Sequence, residues 1–314
     1  MDERDERTTD EQRAGEPPPG GAADAATASF VAHRNLLFTV AYEMLGSAAD
    51  AEDALQETWL RWSAVDLDTV RDHRAYLVRI ATRQALMRLR TLGRRKETYV
   101  GPWLPEPLLT VPDVAEDVEL ADSVSMAMLL VLETLGPTER AVFVLREVFD
   151  VPYDEIAEAV DKTPAAVRQI AHRARAHVSA RRPRGDVTAA ETKDALEAFK
   201  QALETGDLQR FLDVLSPDVV LLSDGGGVVR ALTEPIVGAD RVAALLANRP
   251  DGEGPSGPLW PALVNGHPAL VIHRDGEVDT VLALRIDNGL VTGLYVVRNP
   301  EKLSHMKQET ALRR

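Results

Sequence analysis

Apolar residues recur at helical spacing from Ser29 onward, with Leu37, Val40, Ala41 and Met44 on one face, until Gly46 stops the pattern. Ser47, three residues ahead of Asp50, opens a second helix in capping-box style. That helix turns Ala51, Ala54, Leu55, Thr58 and Trp62 inward and leaves Asp50, Asp53 and Glu57 on an acidic outer face. A third helix is expected from about Asp72 to Leu92. Leu77, Ile80, Ala81 and Ala85 face its core side, and Tyr76, Arg79, Arg83 and Arg90 fall in a narrow arc on another side. Three helices make a compact first domain over residues 29–98, behind a charged, Pro/Gly-rich stretch (1–28) read as disordered.

A second helical unit is expected over residues 115–185. One helix runs from Ala115 to Leu135 and ends at Gly136; Pro137 starts the next, which reaches about Phe149. Tyr153 to Val160 reads as a short helix, Asp161-Lys162 as a tight turn, and Thr163-Pro164 as the capped start of a longer helix. Val167, Ile170, Ala171 and Ala174 line its buried side. Short helix, turn and longer basic helix make a helix-turn-helix. Its outer face presents Arg168, Gln169, His172, Arg173 and Arg175, side chains able to bond base edges and phosphates.

Beyond Gly185 the period changes from helical to alternating. A helix from Ala189 to Glu204 ends at Gly206, and Asp207 caps a short one. Strands follow at Val219–Ser223, Leu259–Val264, Ala269–His273, Thr280–Ile286 and Leu290–Val297. Asn265-Gly266, Asp275-Gly276 and Asn288-Gly289 join four of them, the dipeptides that tight hairpins prefer. Helices and then an antiparallel meander make an α+β domain over 186–303, its curved sheet able to enclose a pocket, with a tail at 304–314. The chain is therefore read as two all-α domains followed by one α+β domain.

Charge sharpens this picture. The net charge of −14 argues against a nucleic-acid partner, but it is unevenly distributed. Residues 1–28 hold eight acids against three bases, and residues 99–125 hold six acids and no base. Residues 71–96 contain nine bases against one acid, and residues 162–184 contain seven bases and no acid. Two basic segments in an acidic chain suit two local contacts with a polyanion, or equally two solvated helix faces. The absence of cysteine rules out disulfides and thiolate metal sites and suits a reducing cytoplasm. No apolar run reaches the ~18 residues of a membrane span, and the N-terminus does not read as a signal peptide.

Between the helical units lies "YVGPWLPEPL", Tyr99 to Leu108, in a linker placed at 99–114. A flexible tether would be rich in Gly and Ser; three prolines instead hold this backbone extended. Trp103, Leu104 and Leu108 form a stiff apolar ridge that gains by burial, against its own helical domains or against the C-terminal one.

These segments resemble a known family. "DAEDALQETWLRW" with "YLVRIATRQALMRLR" is similar to the sigma-2 domain of extracytoplasmic-function (ECF) sigma factors. "LGPTERAVFVLREVFDVPYDEIAEAV", continuing through "TPAAVRQIAHRARAHV", is similar to their sigma-4 domain. The last part resembles a SnoaL-like domain of the NTF2-like fold. The three-part order resembles group 41 of the family, the sigma-J type. Its linker motif is matched by Tyr99–Leu108, including Trp103, Leu104 and Pro105. Its C-terminal motifs are matched by Asp224-Gly225-Gly226-Gly227 and by Asn299-Pro300-Glu301-Lys302-Leu303. Val228 stands where a basic residue is usual, Asp161 where many relatives have glycine, and Glu301 in place of Asp.

The resemblance implies a non-enzymatic cytoplasmic sigma factor that brings core RNA polymerase to promoters and is modulated in cis by its C-terminal domain. Asp50, Asp53, Gln56 and Glu57 would dock on the beta-prime clamp, and sigma-4 on the beta flap. Tyr76, Arg79, Arg83 and Arg90 would take the −10 element as single strand, although Tyr76 can equally pack into the core. Lys162, Arg168, Gln169, His172, Arg173 and Arg175 would read or hold the −35 element. Core polymerase and promoter DNA are the implied partners, with a small ligand conceivable in the C-terminal pocket, and no cofactor or metal is called for.

Two other readings compete. A one-component helix-turn-helix regulator with a ligand-binding NTF2-like domain accounts for the second and third domains but leaves the acidic Trp59/Trp62 helix unused. An enzyme would need an acid/base residue in an apolar cone. Asp224, His267, His273, Asp287 and Tyr295 are available, but Asp224 and His267 lie at turns, where burial is expected to be slight.

Overall fold

The computed structural model describes residues 21–181, 189–247 and 257–314. Residues 1–20 of the expected acidic stretch lie outside these, as do the end of the second basic run and the boundary at 185/186.

The first domain comprises α1 (Gly21–Leu45), α2 (Ala48–Trp62), a 3-10 turn at Leu67–Thr69 and α3 (His73–Glu97). Helix α1 begins eight residues before the expected Ser29, so residues 21–28 are helical rather than disordered. Alanine is the best helix former, and the extra turns have a tertiary contact: Ala26 is buried, and its carbonyl accepts the Nε1–H of the fully buried Trp62 at 2.9 Å. Ser47 caps α2 through Asp50 N, and Ala51, Ala54, Leu55, Thr58 and Trp62 are buried as their spacing requires. Asp72 accepts from Ala75 N at the start of α3.

The expected single helix from Ala115 to Leu135 is three short ones: α4 (Pro112–Glu116), α5 (Val118–Val124) and α6 (Met126–Glu133). Asp117 and Ser125 break it, each turning its side chain onto a backbone amide of the following helix, Leu120 N and Met128 N. Helix α7 (Pro137–Phe143) runs into a π-helical turn at Val144–Val148. The helix-turn-helix follows as α8 (Tyr153–Val160) and α9 (Pro164–Ser179). Asp161 takes the left-handed conformation in the turn (φ 55°), and Thr163 accepts from Ala166 N.

The two helical domains share one core. Leu37, Trp62 and Leu77 of the first belong to the same apolar cluster as Leu129, Leu145 and Val167 of the second. Arg140, 3% exposed, donates to Leu132 O and to Met44 O of α1, and pairs with Glu133, which Lys96 of α3 also reaches. Burial works against the Glu133 carboxylate, but the two cations overcome it and hold its pKa below the usual value.

In the third domain α10 (Ala189–Thr205), α11 (Leu208–Val214) and α12 (Ala239–Ala247) pack against a six-stranded sheet. Its strands are β1 (Leu215–Asp224), β2 (Ile236–Val237), β3 (Leu259–Val264), β4 (His267–Arg274), β5 (Glu277–Asp287) and β6 (Leu290–Val297), in spatial order β2-β1-β6-β5-β4-β3. The last four strands form the expected meander, but β1 runs parallel to β6, so the sheet is mixed. Helices on one face of a mixed sheet are the architecture expected of an NTF2-like domain. Phe199, Leu203, Phe211 and Val242 fill the space between the helices and Leu270, Leu282 and Leu294 of the sheet, where a pocket was expected. The opposite face buries Val271, Val281, Tyr295 and Val297 under Leu104 of the linker, Met126 of α6, and Leu303 of the short helix α13 (Pro300–Leu303). This face of the sheet therefore packs against the linker and the second domain.

Candidate nucleic-acid interface and interdomain junction

Asp224 ends β1 and is 1% exposed, against the expectation for a residue at a turn. Its Oδ1 accepts the Tyr99 hydroxyl (2.5 Å) and the Gly226 amide (3.0 Å); its Oδ2 accepts the Leu104 amide (2.8 Å) and Lys302 Nζ (2.7 Å). Lys302 also donates to the Leu104 carbonyl at 2.6 Å and sits 3.5 Å from the centroid of the Trp103 ring. Burial is the largest influence on this ammonium and lowers its pKa despite the carboxylate. Asn299 caps α13 through Glu301 N and donates to Tyr99 Oη at 2.8 Å. The three glycines are there for space as much as for turning. A Cβ at Gly225 would stand 2.1 Å from the Val229 carbonyl, and one at Gly226 2.4 Å from Asn299 Nδ2. Val228, the unusual residue, leaves its side chain exposed and joins the turn only through its amide, which donates to the Gly225 carbonyl at 3.1 Å.

Trp103 and Leu104 of the linker thus meet Asp224, Gly226, Asn299, Lys302 and Leu303 in one place, whereas Pro105 lies beside Gly46 of the first domain. The expected ridge is nevertheless two-sided. Leu104 is buried on the sheet, whereas Leu108 points the other way into the helical core. Strict two-residue alternation would put positions 104 and 108 on one face, so the backbone turns about its own axis between them to serve the two surfaces it separates.

Three residues that carried no local signal complete the junction. Glu106, between two prolines, accepts from Ser47 Oγ (2.9 Å), Ala48 N (2.7 Å) and Ala49 N (3.2 Å), so the linker caps the start of α2 with a buried carboxylate. Tyr42 of α1 donates to the Glu106 carbonyl at 2.6 Å. Asn265 does far more than turn a hairpin. Its Oδ1 accepts from Leu108 N (2.9 Å), and its Nδ2 donates to Tyr42 Oη (2.6 Å) and Val124 O (2.8 Å), touching linker, first and second domain together. His267 beside it contacts Ala121 O of α5 at 3.1 Å.

Arg168, Gln169, His172, Arg173 and Arg175 are exposed along α9, and Lys162 is exposed in the turn. Arg175 is held bidentate by Glu147 at 2.6 and 2.9 Å, which raises its pKa. Tyr76 is half-buried against Trp62 with Arg79 over its ring at 4.5 Å, while Arg90 is exposed. Arg79 pairs with Glu158 of α8 at 2.7 Å, and Arg83 donates to the Glu158 carbonyl at 2.7 Å. Two residues of the basic arc of α3, Arg79 and Arg83, are therefore engaged by the first helix of the helix-turn-helix, and Arg90 is not. On α2, Asp53 and Gln56 are exposed, Asp50 and Asp53 both face Arg88 of α3, and Glu57 pairs with Arg61.

The sigma-70 region 2 family matches residues 30–95, and the sigma-70 region 4 family matches residues 125–178. A Mycobacterium tuberculosis protein, "ECF RNA polymerase sigma factor SigJ", is 35% identical over 289 residues, covering 88% of this chain and 92% of its own length. The chain belongs to the ECF RNA polymerase sigma factors. A second M. tuberculosis relative, "Probable ECF RNA polymerase sigma factor SigI", is 33% identical over 290 residues, covering 91% and 97%. The crystal structure of M. tuberculosis SigJ superposes with a TM-score of 0.69 at 31% identity, covering 90% of this chain and 99% of that one. The one-component regulator reading fails here, since it leaves the region 2 domain without a role. The first domain of this sigma factor is sigma-2, the second sigma-4, and the third the SnoaL-like domain of the sigma-J type. Among the described residues no helix is long and apolar enough to cross a membrane, and no cluster of His, Asp or Glu is placed to hold a metal ion.

Proposed function

We propose that this sigma factor, which binds core RNA polymerase and directs it to promoters, rests in a closed arrangement held by its own SnoaL-like domain. Polymerase and promoter DNA are the partners that family membership implies. The observation that carries the regulatory reading is the Asp224–Lys302 pair, which clamps the Tyr99–Leu104 stretch while Glu158 of sigma-4 lies on Arg79 and Arg83 of sigma-2. Reading −10 and −35 elements together requires those two domains to part.

In this reading Asp53, Gln56 and the neighbouring Asp50 and Glu57 meet the beta-prime clamp, and sigma-4 meets the beta flap. Arg79, Arg83 and Arg90 hold the −10 strand once Glu158 has left, with Tyr76 stacking on a base. Arg168, Gln169, His172 and Arg173 contact −35 base edges; Lys162 and Arg175 contact phosphates, Arg175 in exchange for Glu147. Run-off transcription with purified core polymerase on the gene's own upstream region tests the whole. Asp224→Asn is expected to change promoter output, and output equal to the parent's would overturn regulation through the junction. No transcript at all from the parent would overturn the polymerase-directing reading itself.

A further inference from the structure

The residues after the NPEKL helix have no assigned role, yet they are threaded through the middle of the molecule. Thr310 N donates to the Leu109 carbonyl at 2.7 Å and Val111 N donates to the Thr310 carbonyl at 3.4 Å, so this segment lies as a short strand along the linker. The linker in turn pairs with the edge of β3, through Thr110 N to Leu263 O and Asn265 N to Leu108 O, both 2.9 Å. Leu312 is 5% exposed inside the core that sigma-2 and sigma-4 share. Arg313 N donates to Thr39 Oγ1 of α1 at 3.0 Å, and the Arg314 guanidinium pairs with Asp117 at 3.0 Å and with Glu119, at the start of α5. Two neighbouring residues thus hold the two sigma domains, one each.

We propose that residues 309–314 are a releasable clasp that keeps sigma-2 and sigma-4 closed, acting separately from the Asp224–Lys302 junction. The hold is concentrated in Leu312. The Arg314 pairs are half-exposed and contribute little, and each backbone hydrogen bond of the segment contributes only a small net amount, because release replaces it with bonds to water. A cavity of about 390 Å³ lies between this stretch and α1 and α2, lined by Arg34 and Glu52 on one side and by His305, Gln308 and Glu309 to Ala311 of the segment itself on the other. With that space beside the segment, Leu312 is the one buried apolar side chain of residues 309–314, and its withdrawal leaves only hydrogen bonds and half-exposed ion pairs to hold the rest. Burial of a leucine favours the clasped state by roughly 10- to 100-fold, a bias that a partner or a change of conditions can reverse.

The proposal rests on the closed arrangement but not on its effect on transcription, and its test reads geometry. The chain has no cysteine, so Leu60→Cys on α2 and Ala176→Cys on α9, both exposed, accept a pair of spin labels in the full-length protein. Distance distributions are then recorded for the parent, for Leu312→Asp, for Leu312→Met and for the chain truncated after Gln308. Leu312→Asp and the truncation are expected to raise the open population about 10- to 100-fold, with Leu312→Met close to the parent. Amide exchange at Val111 should quicken in both releasing variants, while Leu104 N, held by Asp224, stays protected. Unchanged distances in Leu312→Asp and the truncated chain would overturn the clasp. So would loss of Leu104 protection in step with Val111, because clasp and junction would then be one unit. An effect of Asp224→Asn on transcription has no bearing on either outcome.

Discussion

Removing the carboxylate of Asp224 isolates the junction most sharply. Its side chain is 0% exposed and that of Lys302 is 4% exposed, and the carboxylate accepts from four donors. Asp224→Ala leaves the Lys302 ammonium buried without its counter-charge, along with an unpaired Tyr99 hydroxyl and Leu104 amide. Breaking a buried pair from one side costs about 3–5 kcal/mol, mostly the penalty on the stranded partner. Lys302→Met strands the carboxylate in the same way. Removing both charges together, Asp224→Ala with Lys302→Met, eliminates the stranded ion, and removing whole buried pairs elsewhere is often close to neutral. The double variant is therefore expected to be less destabilised than Asp224→Ala by on the order of 2 kcal/mol or more, a strongly non-additive cycle. Exchange of the Leu104 amide with solvent deuterium reads the local opening directly. The free energy of opening should fall by the single-variant cost in Asp224→Ala and recover in the double variant. A loss below about 1 kcal/mol in Asp224→Ala, or single costs that simply add in the double variant, would refute the account of a desolvated, mutually dependent pair.

Three further outcomes follow from other parts of the molecule. Burial raises the pKa of Glu43, on α1 and bonded only to Ser123 of α5 among its described partners, from 4.5 to about 8. The folded state then holds a proton that the unfolded chain releases above pH 4.5, so this residue subtracts stability as pH rises from about 4.5 to about 8. By pH 7 the loss is about 3 kcal/mol. Glu43→Gln should flatten that part of the Tm profile between pH 5 and 8, and identical profiles would show that the carboxyl is not desolvated. Arg168→Ala and Arg173→Ala should each weaken −35 binding by about 1–3 kcal/mol if a bidentate base contact is lost, and an unchanged footprint in the double variant would remove α9 from the interface. Asp53→Asn with Gln56→Ala should reduce co-purification with core polymerase while leaving the unfolding free energy within about 1 kcal/mol of the parent's, since both side chains are exposed. Retained co-purification would make that face merely solvated. Charge reversal at Asp50 is a poorer probe, because Asp50 and Asp53 together bracket Arg88.

Everything governed by near neighbours was legible in the amino-acid order alone. Helical period, the caps at Ser47 and Thr163, the left-handed Asp161 and the Asn-Gly and Asp-Gly hairpins are set within a few residues of one another, as are the sigma motifs. Where local rules compete the reading slipped: Asp117 and Ser125 are ordinary helix-surface residues by period but better caps by chemistry, and they cut one helix into three. Placing Asp224, Gly226, Asn299 and Lys302 beside Trp103 and Leu104 was within reach through the family motifs. Their geometry was not, because a buried carboxylate needs donors from residues as distant in sequence as Tyr99 and Lys302. Glu106 and Leu312 had no signal, and Asn265 signalled only its hairpin: an acid between prolines, a turn asparagine and a lone leucine in a polar stretch look solvated wherever they occur. Only the tertiary structure decided that the linker is sandwiched between a sheet face and a helical core. That enclosure removes water from these polar groups and leaves them one another as partners.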